Sequence, residues 1–215
     1  MDLYLQVSLA SSKLLTKAYS TSFSLGIRTL DEKVHDPIYA IYGFVRLADE
    51  IVDTFHDQDK AALLQRFRED TYRAIEEKIS LNPILHSFQW AVNKFGMERE
   101  LIDAFLYSME LDLTKRDYNP EEYKQYIYGS AEVVGLMCLE VFLNDVSLRD
   151  EEKAEFVAGA RALGAAFQKV NFLRDLSADF DKLGRSYFPL IRVEDFNNSE
   201  RDRLVEDIRN DLRTS

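Results

Sequence analysis

Cysteine is nearly missing from the chain: Cys138 is the only one in 215 residues. That excludes an internal disulfide framework and a cysteine-ligated metal centre. The three histidines, His35, His56 and His86, are scattered and make no zinc-type cluster. Four prolines and eight glycines are too few for a linker-rich or low-complexity chain, and no Gly/Ser tract or fixed-period repeat interrupts it. Alternating strand patterns are nearly absent. Basic residues are outnumbered, 27 Lys and Arg against 38 Asp and Glu, for a formal charge of −11. A phosphate backbone repels such a surface, so nucleic acid is not expected as a partner, while metal cations remain open. The opening Met1-Asp2-Leu3-Tyr4 has neither the basic nor the apolar region of a signal peptide. No uninterrupted apolar stretch approaches the roughly 20 residues that span a bilayer. These absences predict a cytoplasmic protein whose membrane contact, if any, is peripheral to the inner membrane.

What is present is the material of a helical core. Hydrophobic residues make up 46% of the chain, with 14 Phe and 11 Tyr, and 30% is charged, the balance of a folded protein. The length suits a single domain over 1–215. Asp36-Pro37, Asn82-Pro83 and Asn119-Pro120 each read as an N-cap followed by proline at the first helical position, so helices are expected to start near 37, 83 and 120. Helical periodicity also covers about 3–18, 60–79, 98–116, 150–183 and 199–213. The class is all-α, with the helices packed as one bundle-like body. Gly184-Arg185-Ser186-Tyr187-Phe188-Pro189 reads as a loop, and Cys138 as a packed core residue.

Two acidic pairs sit where apolar side chains belong. Ile38, Ile41, Tyr42, Val45 and Val52 mark the expected core face of one helix, and Asp49 and Asp53 continue it at steps of four. On a later helix Gln168, Asn171, Asp175 and Asp179 form one polar line among Phe167, Val170, Phe172, Leu173 and Leu176, with Ala160 and Gly164 extending it with little bulk, and such a polar seam suggests a lined cavity. Like charges spaced by four repel by a few tenths of a kcal/mol on a solvated helix, and buried unpaired charge costs several kcal/mol more. A bound cation removes that cost. Four carboxylates facing one space would suit Mg²⁺, an oxygen-seeking ion that binds carboxylates together with substrate phosphates. The bland alternative is a pair of solvated or salt-bridged faces. Arg46 and Arg174 lie beside the two pairs, either to hold an aspartate or to bind a phosphate oxygen.

The segment from Tyr39 to Asp53, Tyr-Ala-Ile-Tyr-Gly-Phe-Val-Arg-Leu-Ala-Asp-Glu-Ile-Val-Asp, resembles the first aspartate-rich motif of the phytoene and squalene synthase family. Gln168 to Phe180, followed by Gly184 to Pro189, resembles the family's Q-x-x-N-x-x-R-D-x-x-x-D motif and its R-x-Y-F/L-P loop. Tyr19 to Ser24, Met109 to Leu113 and Tyr126 to Gly135 resemble three further family segments, so the likeness runs from about residue 11 to about residue 190.

The resemblance implies an isoprenoid (terpenoid) synthase-type helical bundle with a central cavity, in which two allylic prenyl diphosphates condense head to head through a cyclopropyl diphosphate. It implies that Asp49, Asp53, Asp175 and Asp179, with Asn171, hold Mg²⁺, with Mn²⁺ as an alternative, against the diphosphates. Arg46, Gln168 and Arg174 would contact substrate, with Arg174 alternatively orienting an aspartate. Ser22 and Phe23 would lie near the bound substrate and Tyr128 near the reacting carbons. Asp112 would support the metal site or face solvent. The favoured reaction is phytoene synthesis from geranylgeranyl diphosphate, without NADPH, for carotenoid biosynthesis. Squalene or dehydrosqualene synthesis from farnesyl diphosphate is the alternative. A non-catalytic scaffold of the same fold and a plain acidic interaction module are the readings of another class. Family members usually continue through further helices, so a C-terminally truncated chain is expected. The product would leave to a membrane surface or a downstream desaturase. Oligomeric state has no signature in the sequence.

Overall fold

The structure is a computed structural model that describes residues 2–115, 117–183 and 197–215, without the side chains of 176–183. Among the described residues the elements are helices: α1 (Leu3–Tyr19), α2 (Thr21–Arg28), α3 (Glu32–Asp53), α4 (Lys60–Glu77), α5 (Pro83–Phe95), α6 (Arg99–Thr114), α7 (Pro120–Ile127), a π-turn (Tyr128–Glu132), α8 (Val133–Leu143), α9 (Asp150–Leu183) and α10 (Asn198–Thr214). No β-strand forms among them, and the all-α expectation holds. The chain divides into two compact units, one of Met1–Arg99 with Glu140–Val146, the other of Glu100–Leu139 with Ser147–Ser215.

Local chemistry sets the helix starts. Asn82 accepts from the amides of Ile84 and Leu85 with Pro83 following it, and Asn119 forms a reciprocal capping box with Glu122 around Pro120. The third predicted start is corrected. α3 begins at Glu32, five residues before Pro37, because Asp31 caps the Lys33 amide at 3.0 Å. Pro37 then lies inside the helix and is buried, as are Val34, Ile38 and Ile41 nearby. α2 lies outside the stretches in which helices were expected. Ser20 both ends α1, donating its amide to the Thr16 carbonyl, and caps α2, accepting from the Phe23 amide.

The first unit packs α3 against α1, α2, α4 and α5. Small residues let three of these helices meet: the Ser12 and Ser87 hydroxyls lie 2.7 Å apart, and a Cβ on Gly43 would stand 2.7 Å from Ser12 Oγ. Phe44 stacks on Phe88 at 3.8 Å in the core beneath. The second unit packs α9 against the π-turn and α10 around Tyr126, Phe172, Ala165 and Leu204. A Cβ on Gly129 would lie 2.5 Å from the Ala104 carbonyl oxygen, on Gly135 2.5 Å from that of Ala160, and on Gly164 2.6 Å from that of Ala131. The little bulk of Ala160 and Gly164 therefore serves backbone-to-backbone helix contact. One run, Pro120–Leu143, is 24 residues long and apolar enough by composition to cross a membrane. It escaped the sequence reading because Glu132 and Glu140 break its apolar continuity without cancelling its mean hydropathy.

Candidate active site

The first aspartate pair belongs to α3 in the first unit. Successive steps of four residues advance about 40° beyond a full turn. The line Ile41, Val45, Asp49, Asp53 therefore spirals away from the core, so Ile41 is fully buried while Val45, Asp49 and Asp53 are half-buried. The carboxylates sit at the core's rim, a correction to the inward stripe read from the sequence. Arg46 lies three residues before Asp49 on the same helix. Its Nη2 donates to Glu50 Oε2 at 2.6 Å, and its Nη1 is 3.8 Å from Asp49 Oδ2. Its guanidinium stands 4.4 Å from the centre of the Tyr19 ring. Burial works against the Arg46 charge, but the Glu50 hydrogen bond and the charges of Asp49, Glu50 and Asp53 outweigh it and raise its pKa. Burial alone would raise the Glu50 pKa, and hydrogen bonds from Arg46, Thr54 and Tyr19 bring it below the ordinary range.

Aromatic side chains adjoin this cluster. Phe23, exposed on α2, stacks on Tyr42 at 4.6 Å, and Ser22 beside it is exposed. Burial raises the Tyr42 pKa against a hydrogen bond from Ser20 and the charge of Arg46. Glu50, Tyr19 and Tyr42 were named by the sequence only within motifs or a core face, not as site residues. The signal for Glu50 was its position four residues after Arg46, a spacing at which helical ion pairs form.

The second motif belongs to α9 in the second unit. Arg174 donates to Asp175 twice, Nε to Oδ1 at 2.8 Å and Nη2 to Oδ2 at 2.5 Å. That bond holds the Asp175 carboxyl below its ordinary pKa. Gln168 donates to Ser130 Oγ at 3.3 Å, which donates in turn to the Tyr126 carbonyl. Asn171 is exposed, and so are Phe167 and Val170 beside the polar line, while Phe172 is buried. The Asp179 side chain and the Gly184–Pro189 loop lie outside the described residues.

Tyr128 opens the π-turn and is half-buried, with the Arg161 guanidinium 5.3 Å from its ring centre and Arg161 held by Glu132 at 2.6 Å. Asp112 does not face solvent: it is buried and accepts from Tyr126 Oη at 2.8 Å. Cys138 is half-buried as a residue, and burial of its thiol pushes the pKa up to about 12, as suits a packed side chain.

The squalene/phytoene synthase family model matches residues 16–214. The chain belongs to this family. Among relatives of this squalene/phytoene synthase chain, the presqualene diphosphate synthase of Sinorhizobium fredii is 34% identical over 175 residues, 80% of this chain and 59% of the relative. The phytoene synthase of Rhodobacter capsulatus is 32% identical over 181 residues, 81% of this chain and 50% of the relative. The chain thus spans half to six-tenths of the length of these two curated relatives. A crystal structure of a dehydrosqualene synthase in complex with ligand superposes with a TM-score of 0.82 at 23% identity, covering 98% of this chain and 76% of that one. That likeness establishes the isoprenoid synthase-type helical fold.

Proposed function

We propose that the chain is a phytoene synthase, condensing two geranylgeranyl diphosphates head to head through a cyclopropyl diphosphate that ionises again and loses a proton. The observation that carries the reading is the pair of aspartate motifs, each with an arginine within 4 Å of one of its aspartates, in a member of the squalene/phytoene synthase family. Mg²⁺ fits the chemistry of carboxylate pairs, because it binds through one or two carboxylates and completes its shell with water and substrate phosphates. Asp49, Asp53, Asp175 and Asp179, with Asn171, would hold it, and Mn²⁺ is the alternative. When bound, the metal neutralises charge on the departing diphosphate.

The remaining work falls to the chain's own residues. Arg46 supplies a guanidinium for diphosphate oxygens, and Arg174 fixes the orientation of Asp175. Ser22, Gln168 and Asn171 offer hydrogen bonds to the polar end of the substrate. Phe23, stacked on Tyr42, and Tyr128 present π-faces that stabilise an allylic cation without reacting with it. The chain would work in the cytoplasm and pass its hydrocarbon to a membrane surface or a desaturase.

A second reading is favoured by the 34% identity to a presqualene diphosphate synthase: the same condensation with farnesyl diphosphate. Incubation with Mg²⁺ and either geranylgeranyl diphosphate or farnesyl diphosphate, with and without NADPH, followed by analysis of extracted products, decides between them. Phytoene from the longer substrate supports the first reading, and products from farnesyl diphosphate alone support the second. Folded, Mg²⁺-insensitive protein with no product from either substrate removes both.

A further inference from the structure

We propose that a pocket formed by α1, the end of α4 and α5 holds the phosphate of a membrane phospholipid, and that the first unit docks on a bilayer through it. The inference is independent of the condensation chemistry. The pocket has a volume of about 350 Å³ and all its lining residues belong to the first unit, away from the aspartates of α3. His86, 7% exposed, is part of its wall. Nδ1 of that ring accepts from the Ser80 amide at 3.3 Å, so the ring proton is on Nε2. The Nε2–H has no acceptor among the described residues. A buried ring with a donor to spare calls for an acceptor inside the pocket it lines.

Lys78 and Lys94 add two ammonium groups to the lining, neither in an ion pair among the described residues, and Lys94 Nζ stands 5.0 Å from the centre of the Trp90 ring. Asp2 lines the same pocket, which therefore carries two positive charges against one negative in a chain whose net charge is −11. A phosphodiester, singly negative and rich in acceptor oxygens, balances that set.

The surroundings point to the source of the phosphate. Lys78 leads into Ile79, Ser80 and Leu81, and Ser80 is tied at both ends, its amide to His86 and its carbonyl to Tyr4 Oη at 2.8 Å. Ile79 and Leu81, on either side of that anchored residue, are 53% and 94% exposed, and Leu3, next to Asp2, is also exposed. Bulky apolar side chains held beside a basic pocket contribute nothing to binding a free phosphate ester. On a bilayer they enter the acyl layer while the headgroup occupies the pocket. Trp90, half-buried at the same place, supplies the indole that favours the headgroup level.

Trp90 is the only tryptophan in the chain, so its fluorescence reports on this pocket. The test follows that emission while the full chain is titrated with phosphatidylcholine vesicles, with flotation to check recruitment. Vesicles of digalactosyldiacylglycerol, equally neutral but without phosphate, are the control, and glycerophosphocholine supplies the same phosphodiester without acyl chains. A blue shift with recruitment to phosphatidylcholine is expected, with binding to the glycolipid about tenfold weaker. Lys78→Gln combined with Lys94→Gln should raise the half-saturating phosphatidylcholine concentration about tenfold and leave glycolipid binding unchanged. Leu81→Ser should raise the half-point about three- to tenfold for both vesicles. All three positions are exposed, so the variants should melt as the unaltered chain does. Equal binding of the two vesicles, or an unchanged half-point in either variant, overturns the proposal. A Trp90 response to glycerophosphocholine without recruitment to vesicles assigns the pocket to free phosphate esters and overturns the membrane docking, and silence from every probe overturns the site itself.

Discussion

At the scale of single residues, the side chains that matter most are those whose polar groups are withdrawn from water and answered by neighbours. His86 on α5 is a clear case. It is buried beneath the Tyr4 ring at 4.6 Å, and its Nδ1 accepts from the Ser80 amide at 3.3 Å and from Gln89 Nε2 at 3.4 Å. An accepting Nδ1 requires the neutral ring with its proton on Nε2. Burial pushes its pKa down, partly offset by the charge of Asp2. In the unfolded chain the ring titrates near about 6.5. Below that pH the unfolded state binds more protons than the folded one, so stability falls as pH drops until the folded ring also protonates. Urea unfolding midpoints should therefore decline on acidification from neutrality, and His86→Gln should flatten that decline. The sequence offered three scattered histidines and no zinc-type cluster; it gave no sign that one of them was buried, because burial comes from helices distant in the chain.

At the scale of elements, helix starts were legible where a capping side chain and a proline coincide, as at Asn82 and Asn119. The same rule failed at Asp36-Pro37, where Asp31 had already capped the helix five residues earlier. The π-turn was not legible either. It places Gly129 against α6 at a distance no side chain tolerates, a tertiary demand with no local signature. The glycines of the second unit carry the testable consequence. Gly135→Ala and Gly164→Ala push a methyl to 2.5 and 2.6 Å from carbonyl oxygens, and each should lower stability by about 1–3 kcal/mol or more in urea unfolding. Gly26→Ala, within α2 and with nothing within 4 Å of its added Cβ, should instead be neutral or stabilising by about 0.5–1 kcal/mol.

At the scale of the whole molecule, the two aspartate motifs belong to different units, and the function proposed above calls on both. If both serve one metal–diphosphate complex, Mg²⁺ with an unreactive substrate analogue at about 100 times its Kd should stabilise the folded chain by about 2.7 kcal/mol. Asp53→Asn and Asp175→Asn should each abolish that gain while leaving the metal-free melting temperature within a few degrees. A gain that survives either change would assign metal binding to one motif alone. The sequence by itself determined the helical class, the family and the identity of the candidate metal ligands, since helical periodicity, capping chemistry and motif spacing are written along a single stretch of chain. Tertiary structure alone decided how those residues are held. Asp49 and Asp53 stand at the rim of the core because steps of four residues outrun the helical repeat and α3 is covered by its neighbours on the other side. Arg46 belongs to Glu50 because the Tyr19 ring, brought in by α1, stacks against its guanidinium, while the Tyr19 and Thr54 hydroxyls hold Glu50 in place.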